Sequence, residues 1–158
     1  MRKQLLIIST ILLTILSAGC DDTMKDDELP VIDMSADWAF PVNCATVYRG
    51  ESFAFRAEFR DNVALGSYSI ELHHNFNHHT HSTDATQCEM DPVKQAVRPF
   101  LHLEEYDIPA GSSMYEAQVT VSIPTDVDTG DYHFMVRLTD EAGWQTFKGI
   151  SIKIADRE

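Results

Sequence analysis

The sequence predicts an all-β protein: an immunoglobulin-like antiparallel β-sandwich of about seven strands, built as one domain with one long histidine-rich loop. Three observations carry that prediction. Apolar and polar residues alternate with period two through five segments, no window shows a helical stripe, and clusters of turn residues separate the segments.

In Ser52–Arg60, residues Phe53, Phe55, Ala57 and Phe59 face one way, while Arg56, Glu58 and Arg60 face the other. Tyr68, Ile70 and Leu72 alternate with Ser69, Glu71 and His73, and Val119 and Val121 alternate with polar partners within Ala117–Ile123. Tyr132, Phe134, Val136 and Leu138 alternate with His133, Met135 and Arg137, and Ile150, Ile152 and Ile154 close the series. Such alternation marks strands with one face on the core and one outside. Turns are signalled at Arg49-Gly50-Glu51, Asp61-Asn62, Asp128-Thr129-Gly130-Asp131 and Asp140-Glu141-Ala142-Gly143. On an immunoglobulin plan, residues 68–75 become strand C and residues 131–139 strand F, antiparallel neighbours in one sheet. Tyr132 then stands where a tyrosine corner bonds its hydroxyl to upstream backbone.

The domain occupies residues 30–158. Ahead of it, Arg2 and Lys3 precede an uncharged apolar run over residues 5–16, too short for a membrane span and typical of a secretory signal. The run closes on Leu-Ser-Ala-Gly-Cys at residues 16–20. That ending resembles the lipobox of bacterial lipoproteins, which implies a signal peptide over residues 1–19, lipidation of Cys20 and a lipid anchor in the membrane. Ordinary cleavage near Ala18, releasing a soluble protein, is the alternative. Residues 20–29 then form the lipidated cysteine and a flexible acidic tether.

Without Arg2 and Lys3, ten basic side chains remain against 25 acidic ones, a formal charge of −15. A surface of that sign repels nucleic acid and anionic headgroups and concentrates cations, so DNA and RNA are excluded as partners. With Cys20 committed to lipid, Cys44 and Cys88 remain as a pair. In an oxidising compartment they read as a disulfide; the competing use is Cys88 as a thiolate metal ligand.

The stretch HHNFNHHTH, His73–His81, holds five of the seven histidines in nine residues and opens an irregular segment that runs to Val97. Long connections in a compact sandwich tend to be functional or disordered. On the C–F pair, His73 and His133 both point outward and are expected to be cross-strand neighbours, with Cβ atoms about 5 Å apart. His79 and His81 share a face if locally extended, and folding the loop back brings them to that pair. The metal candidates are therefore His73, His78, His79, His81 and His133, with His74 and Glu71 beside them, and with Asp84 or Glu89 as further oxygen ligands. Neutral imidazole is the ligand form near pH 7, and crowding holds histidines neutral. Imidazole with carboxylate suits zinc, copper or nickel. Calcium does not suit this segment, because it takes oxygen ligands and no EF-hand spacing is present. Weak incidental binding and proton sensing are the alternatives.

Enzymatic chemistry finds little support. Ser67, Ser82 and Ser112-Ser113 lack a nucleophile elbow, Glu104 and Glu105 face opposite ways on a strand, and no phosphate loop or dinucleotide fingerprint occurs. The expectation is a non-enzymatic protein. Its second reading is an accessory module that contacts a glycan or an outer-membrane partner protein. Trp144 is either a sugar platform or a residue closing the rim of the core.

The lipobox, FRDNVALGSYSIELHHNF and DYHFMVRLTDEAGW together make the chain resemble an uncharacterised family of Bacteroidetes lipoproteins with one immunoglobulin-like domain of unknown function. The resemblance implies fold and location and no activity. Acidic residues Asp21 and Asp22 behind Cys20 resemble the export signal of such lipoproteins, which implies anchoring in the outer membrane, surface-exposed, with the periplasmic face as the alternative.

Overall fold

Alternating Phe, Tyr, Val and Ile make long strands of the segments read from the sequence, and three shorter strands complete two sheets. The structure is a computed structural model that describes residues 25–84 and 86–158. The expected signal peptide, residues 1–19, and the expected lipidation site Cys20 lie outside the described residues. The strands are β1 (Val31–Asp33), β2 (Ala45–Tyr48), β3 (Ser52–Arg60), β4 (Leu65–His74), β5 (His102–Asp107), β6 (Met114–Ser122), β7 (Gly130–Asp140) and β8 (Gln145–Ala155). No helix occurs among the described residues. A three-stranded sheet, β1-β3-β6, packs on a five-stranded sheet, β2-β8-β7-β4-β5.

The expected strands C and F are β4 and β7, and they pair antiparallel. Two details go beyond the sequence reading. There are eight strands, and one pair, β2 with β8, is parallel. Both follow from the chain changing sheets near its start. β1 pairs with β3, Phe40 still bridges Arg56 of β3, and after Cys44 the chain crosses to the β8 edge. Strands of three and four residues are too short to display a period-two pattern. Their placement covers part of the β3 and β8 edges, which would otherwise offer unpaired backbone groups.

The core sits between the sheets as the alternation requires. Phe55, Ala57 and Phe59 of β3 are fully buried against Tyr68, Ile70 and Leu72 of β4 and Phe134, Val136 and Leu138 of β7. Ring pairs cross the interface, with centroids 5.5 Å apart for Phe55–Phe134 and 5.0 Å for Phe59–Tyr68. The Tyr132 hydroxyl donates to the Asp128 carbonyl at 2.7 Å and accepts from the Phe100 amide at 3.1 Å, so the tyrosine corner is present. Trp144 is half-exposed in the β7–β8 turn, outside the core.

Between β4 and β5 the described residues of 75–101 form no regular structure. It is nevertheless tied down. Cys44 and Cys88 are joined as a disulfide that spans 44 residues of sequence. Thr83 N–H donates to the Gly149 carbonyl at 2.8 Å, and Gly149 N–H donates to Thr83 Oγ1 at 3.0 Å. The Asp91 amide donates to Asp131 at 2.7 Å, and the Val97 and Arg98 amides share Asp128 Oδ2 at 2.7 Å. Bonds from loop to strand replace the loop's own missing ladder and satisfy backbone that the strands would otherwise leave unpaired.

Candidate metal centre

The site grows out of the period-two rule. With Leu72 inside, His73 points outward from β4; with Phe134 inside, His133 points outward from β7. The register sets the two directly opposite one another. An outward residue on a bare sheet would be solvated, yet His133 is only 2% exposed. The loop covers it: the His79 carbonyl lies 2.9 Å from His133 Nε2. A carbonyl only accepts, so Nε2 carries the proton and Nδ1 is the free nitrogen of the neutral ring. That Nδ1 is buried and has no hydrogen-bond partner.

His79 and His81 arrive from the loop, two residues apart. The four rings stand at six mutual centroid distances between 4.9 and 5.5 Å. Six near-equal distances define a near-regular tetrahedron. Four imidazoles on one tetrahedral ion, each with its nitrogen about 2.0–2.1 Å from the metal, would place their ring centres about 5 Å apart. Ligand nitrogens of His73, His79 and His81 already lie within 4.8 Å of one another. Glu71 Oε1 is 2.9 Å from His73 Nδ1, in contact but without the alignment of a hydrogen bond.

Burial pushes the His79 pKa below the usual histidine value, and the neighbouring His73, His81 and His74 push it the same way. Burial also lowers His133, more than its bond to the His79 carbonyl raises it, and His73, His79 and His81 lower it further. Both shifts favour neutral imidazole at His79 and His133, the form that ligates. It sits in a chain with far more acidic than basic side chains, so the surrounding field draws cations in without placing a fixed charge among the ligands.

The remaining candidates lie around this quartet. His78 has φ +58° and bonds the Asp91 carbonyl through Nε2 at 2.9 Å, which ties down the loop. His74 packs on Phe76 at 4.8 Å between centroids and stands 6.4 Å from His79, its Nδ1 buried without a partner. Asp84 lines a cleft of about 340 Å³ with His78, His79 and His133, whereas Glu89 lines a neighbouring cleft beside Lys153. Cys88 is in the disulfide, so the thiolate alternative is set aside.

Two residues that hold the site escaped the sequence reading. A Cβ at Gly149 would fall 2.2 Å from the His81 carbonyl oxygen, so only glycine lets the loop lie against β8. An isolated glycine inside a strand pattern is itself a signal of close backbone approach. Asn43 accepts from the Ser151 amide at 3.0 Å and donates to the Thr86 carbonyl at 2.9 Å, fastening the loop from its other side. A single asparagine in a turn carries no comparable signal.

The chain belongs to a family described as a domain of unknown function (DUF4625), whose model matches residues 16–155. Among solved structures it is similar to the GspB Siglec domain, at 22% identity and a TM-score of 0.44, over 84% of this chain and 60% of that one. It is also similar to Spo0M, a sporulation control protein from Bacillus subtilis, at 9% identity and a TM-score of 0.45, over 83% of this chain and 51% of that one. The chain thus spans less than two thirds of either structure. No curated protein matches the sequence.

Proposed function

We propose that this protein is a non-enzymatic envelope lipoprotein that binds one transition-metal ion through His73, His79, His81 and His133 and holds or presents it at the outer membrane. The tetrahedral arrangement of four imidazole rings carries the reading. Zinc and copper suit four nitrogen donors best, with nickel next by donor type. His133 has its second nitrogen fixed by a backbone carbonyl, the outer partner that orients many metal-bound histidines, and Glu71 beside His73 is placed for the same task. Four protein ligands leave no open position for substrate or activated water. Such closure belongs to binding and structural sites rather than catalytic ones, which supports the non-enzymatic reading. Lipidation at Cys20 supplies the membrane anchor, and the acidic residues behind it favour the cell surface.

Calorimetric titration of chelator-treated protein with zinc and copper(II) tests this. One ion per chain at micromolar affinity or tighter is expected. His79→Ala with His81→Ala lowers affinity at least tenfold while the thermal midpoint of the metal-free protein and the disulfide are kept. Equal affinity in that double variant removes the assignment.

The second reading, an accessory module for a glycan or protein partner, draws on Phe147 and Trp144, both about half exposed on and beside β8, with Arg137 5.2 Å over the Phe147 ring. Exposed aromatics of this kind serve sugar or protein contacts.

A further inference from the structure

The β4–β7 pair that carries the histidines at one end carries a second constellation at the other. Asp61 opens the β3–β4 turn, Asp140 ends β7, and Asp26 lies in the segment before β1. One carboxylate oxygen from each comes within 4.8 Å of the others. Asp140 is only 3% exposed, and its Oδ2 is buried with no partner. Asp61 Oδ2 and Asp26 Oδ1 are likewise buried and unpartnered, as is Asn62 Oδ1 on the same turn. The other side-chain atoms of Asp140, Asp61 and Asn62 are occupied. Asp140 Oδ1 accepts from the Trp144 amide at 2.8 Å, Asp61 Oδ1 accepts from the Val63 and Ala64 amides at 2.8 and 2.7 Å, and Asn62 Nδ2 donates to the Lys25 carbonyl at 3.1 Å. The turns thereby aim the free oxygens at one point.

Nothing cationic answers them. Among the described residues no ion pair reaches Asp26, Asp61 or Asp140; Lys25, the adjacent base, pairs with Asp27 instead. A buried carboxylate with a free oxygen is costly unless something positive meets it.

We propose that Asp26, Asp61 and Asp140 form a site for a hard divalent cation of the calcium class, which clasps the N-terminal segment onto the end of the sandwich. The donors are all oxygen, as calcium requires and the histidine quartet does not offer. Two oxygens on one calcium, each at about 2.4 Å, stand no more than about 4.8 Å apart. The carboxylates come from three distant parts of the chain, so the ion joins the segment leading out of the tether to two turns. The clasp fixes Asp26 against the end of the sandwich and so sets how the domain stands on the segment that precedes it.

Calcium titration of the chelator-treated chain tests this, read by thermal midpoint and by terbium luminescence sensitised through Trp144, on the same turn as Asp140. One saturable site with a dissociation constant of about 10⁻⁵–10⁻³ M and a midpoint raised by calcium are expected. Asp26→Ala, on a segment outside both sheets, weakens calcium at least tenfold and does not lower the metal-free midpoint. His79→Ala with His81→Ala leaves calcium binding intact, so this site stands or falls apart from the histidine centre. A midpoint unmoved by millimolar calcium, or equal calcium affinity in Asp26→Ala, overturns the proposal.

Discussion

The two ends of the β4–β7 pair solve the same problem in opposite ways. At one end His73 faces His133; at the other, the register shifts between Leu65 and Ser67 beside Asp140. Both ends gather side chains from distant segments with unpartnered donor atoms. The imidazoles carry no charge when neutral, the form that the lowered pKa values of His79 and His133 favour. The carboxylates carry like charge with no cationic side chain paired to them among the described residues, so that end depends on what meets it from outside. Convergence alone therefore does not define a site's chemistry; the charge its donors carry when empty does.

The strongest way to break the comparison is to release the loop. Cys44→Ser with Cys88→Ser removes a crosslink spanning 44 residues, and denaturant unfolding should show a loss of up to about 4 kcal/mol. Zinc affinity should fall with it, while calcium affinity at the aspartate end stays unchanged, as paired titrations would reveal. Gly149→Ala acts more locally. Its Cβ displaces the His81 backbone, costing about 1–3 kcal/mol by thermal unfolding, and weakens zinc binding without touching calcium.

Glu71→Gln should weaken zinc about tenfold in calorimetry with an unaltered thermal midpoint, if Glu71 orients His73. The smallest effect is on metal-free stability against pH. His79 and His133 have lowered pKa values in the fold, so below the ordinary histidine value of about 6.5 the unfolded chain binds more protons. Stability is then full above about pH 6.5 and declines as pH falls through it toward the lowered folded values. The decline should be reduced in the His79→Ala, His81→Ala variant, where fewer imidazoles oppose protonation. Thermal midpoints between pH 5 and 8 check both statements.

Much of this was legible in residue order, because period two states which side chains a strand buries. It placed Phe55, Tyr68 and Phe134 inside and His73 and His133 outside, and pairing C with F predicted that the two histidines would meet. The turn at Asp128 and the tyrosine in Gly-Asp-Tyr likewise announced the corner at Tyr132. What escaped was of two kinds. β1 and β2 are too short to establish a period, and the parallel β2–β8 pairing depends on where the chain crosses between sheets. The second kind is convergence from afar. His74 and His78 carry the same local signal as His79 and His81, yet the loop's path, fixed by Gly149, Asn43 and the disulfide, turns only the latter two toward β4 and β7.

The aspartates make the same point more sharply. Asp26, Asp61 and Asp140 share no motif, since donors drawn from one N-terminal segment and two turns have no spacing to read. The sequence by itself determined the class of fold, its inward faces, the acidic surface and a surplus of imidazoles at one end of a strand. Only the tertiary structure decided which donors share a centre. Alternation is a property of neighbours along one strand, whereas coordination is a property of neighbours in space.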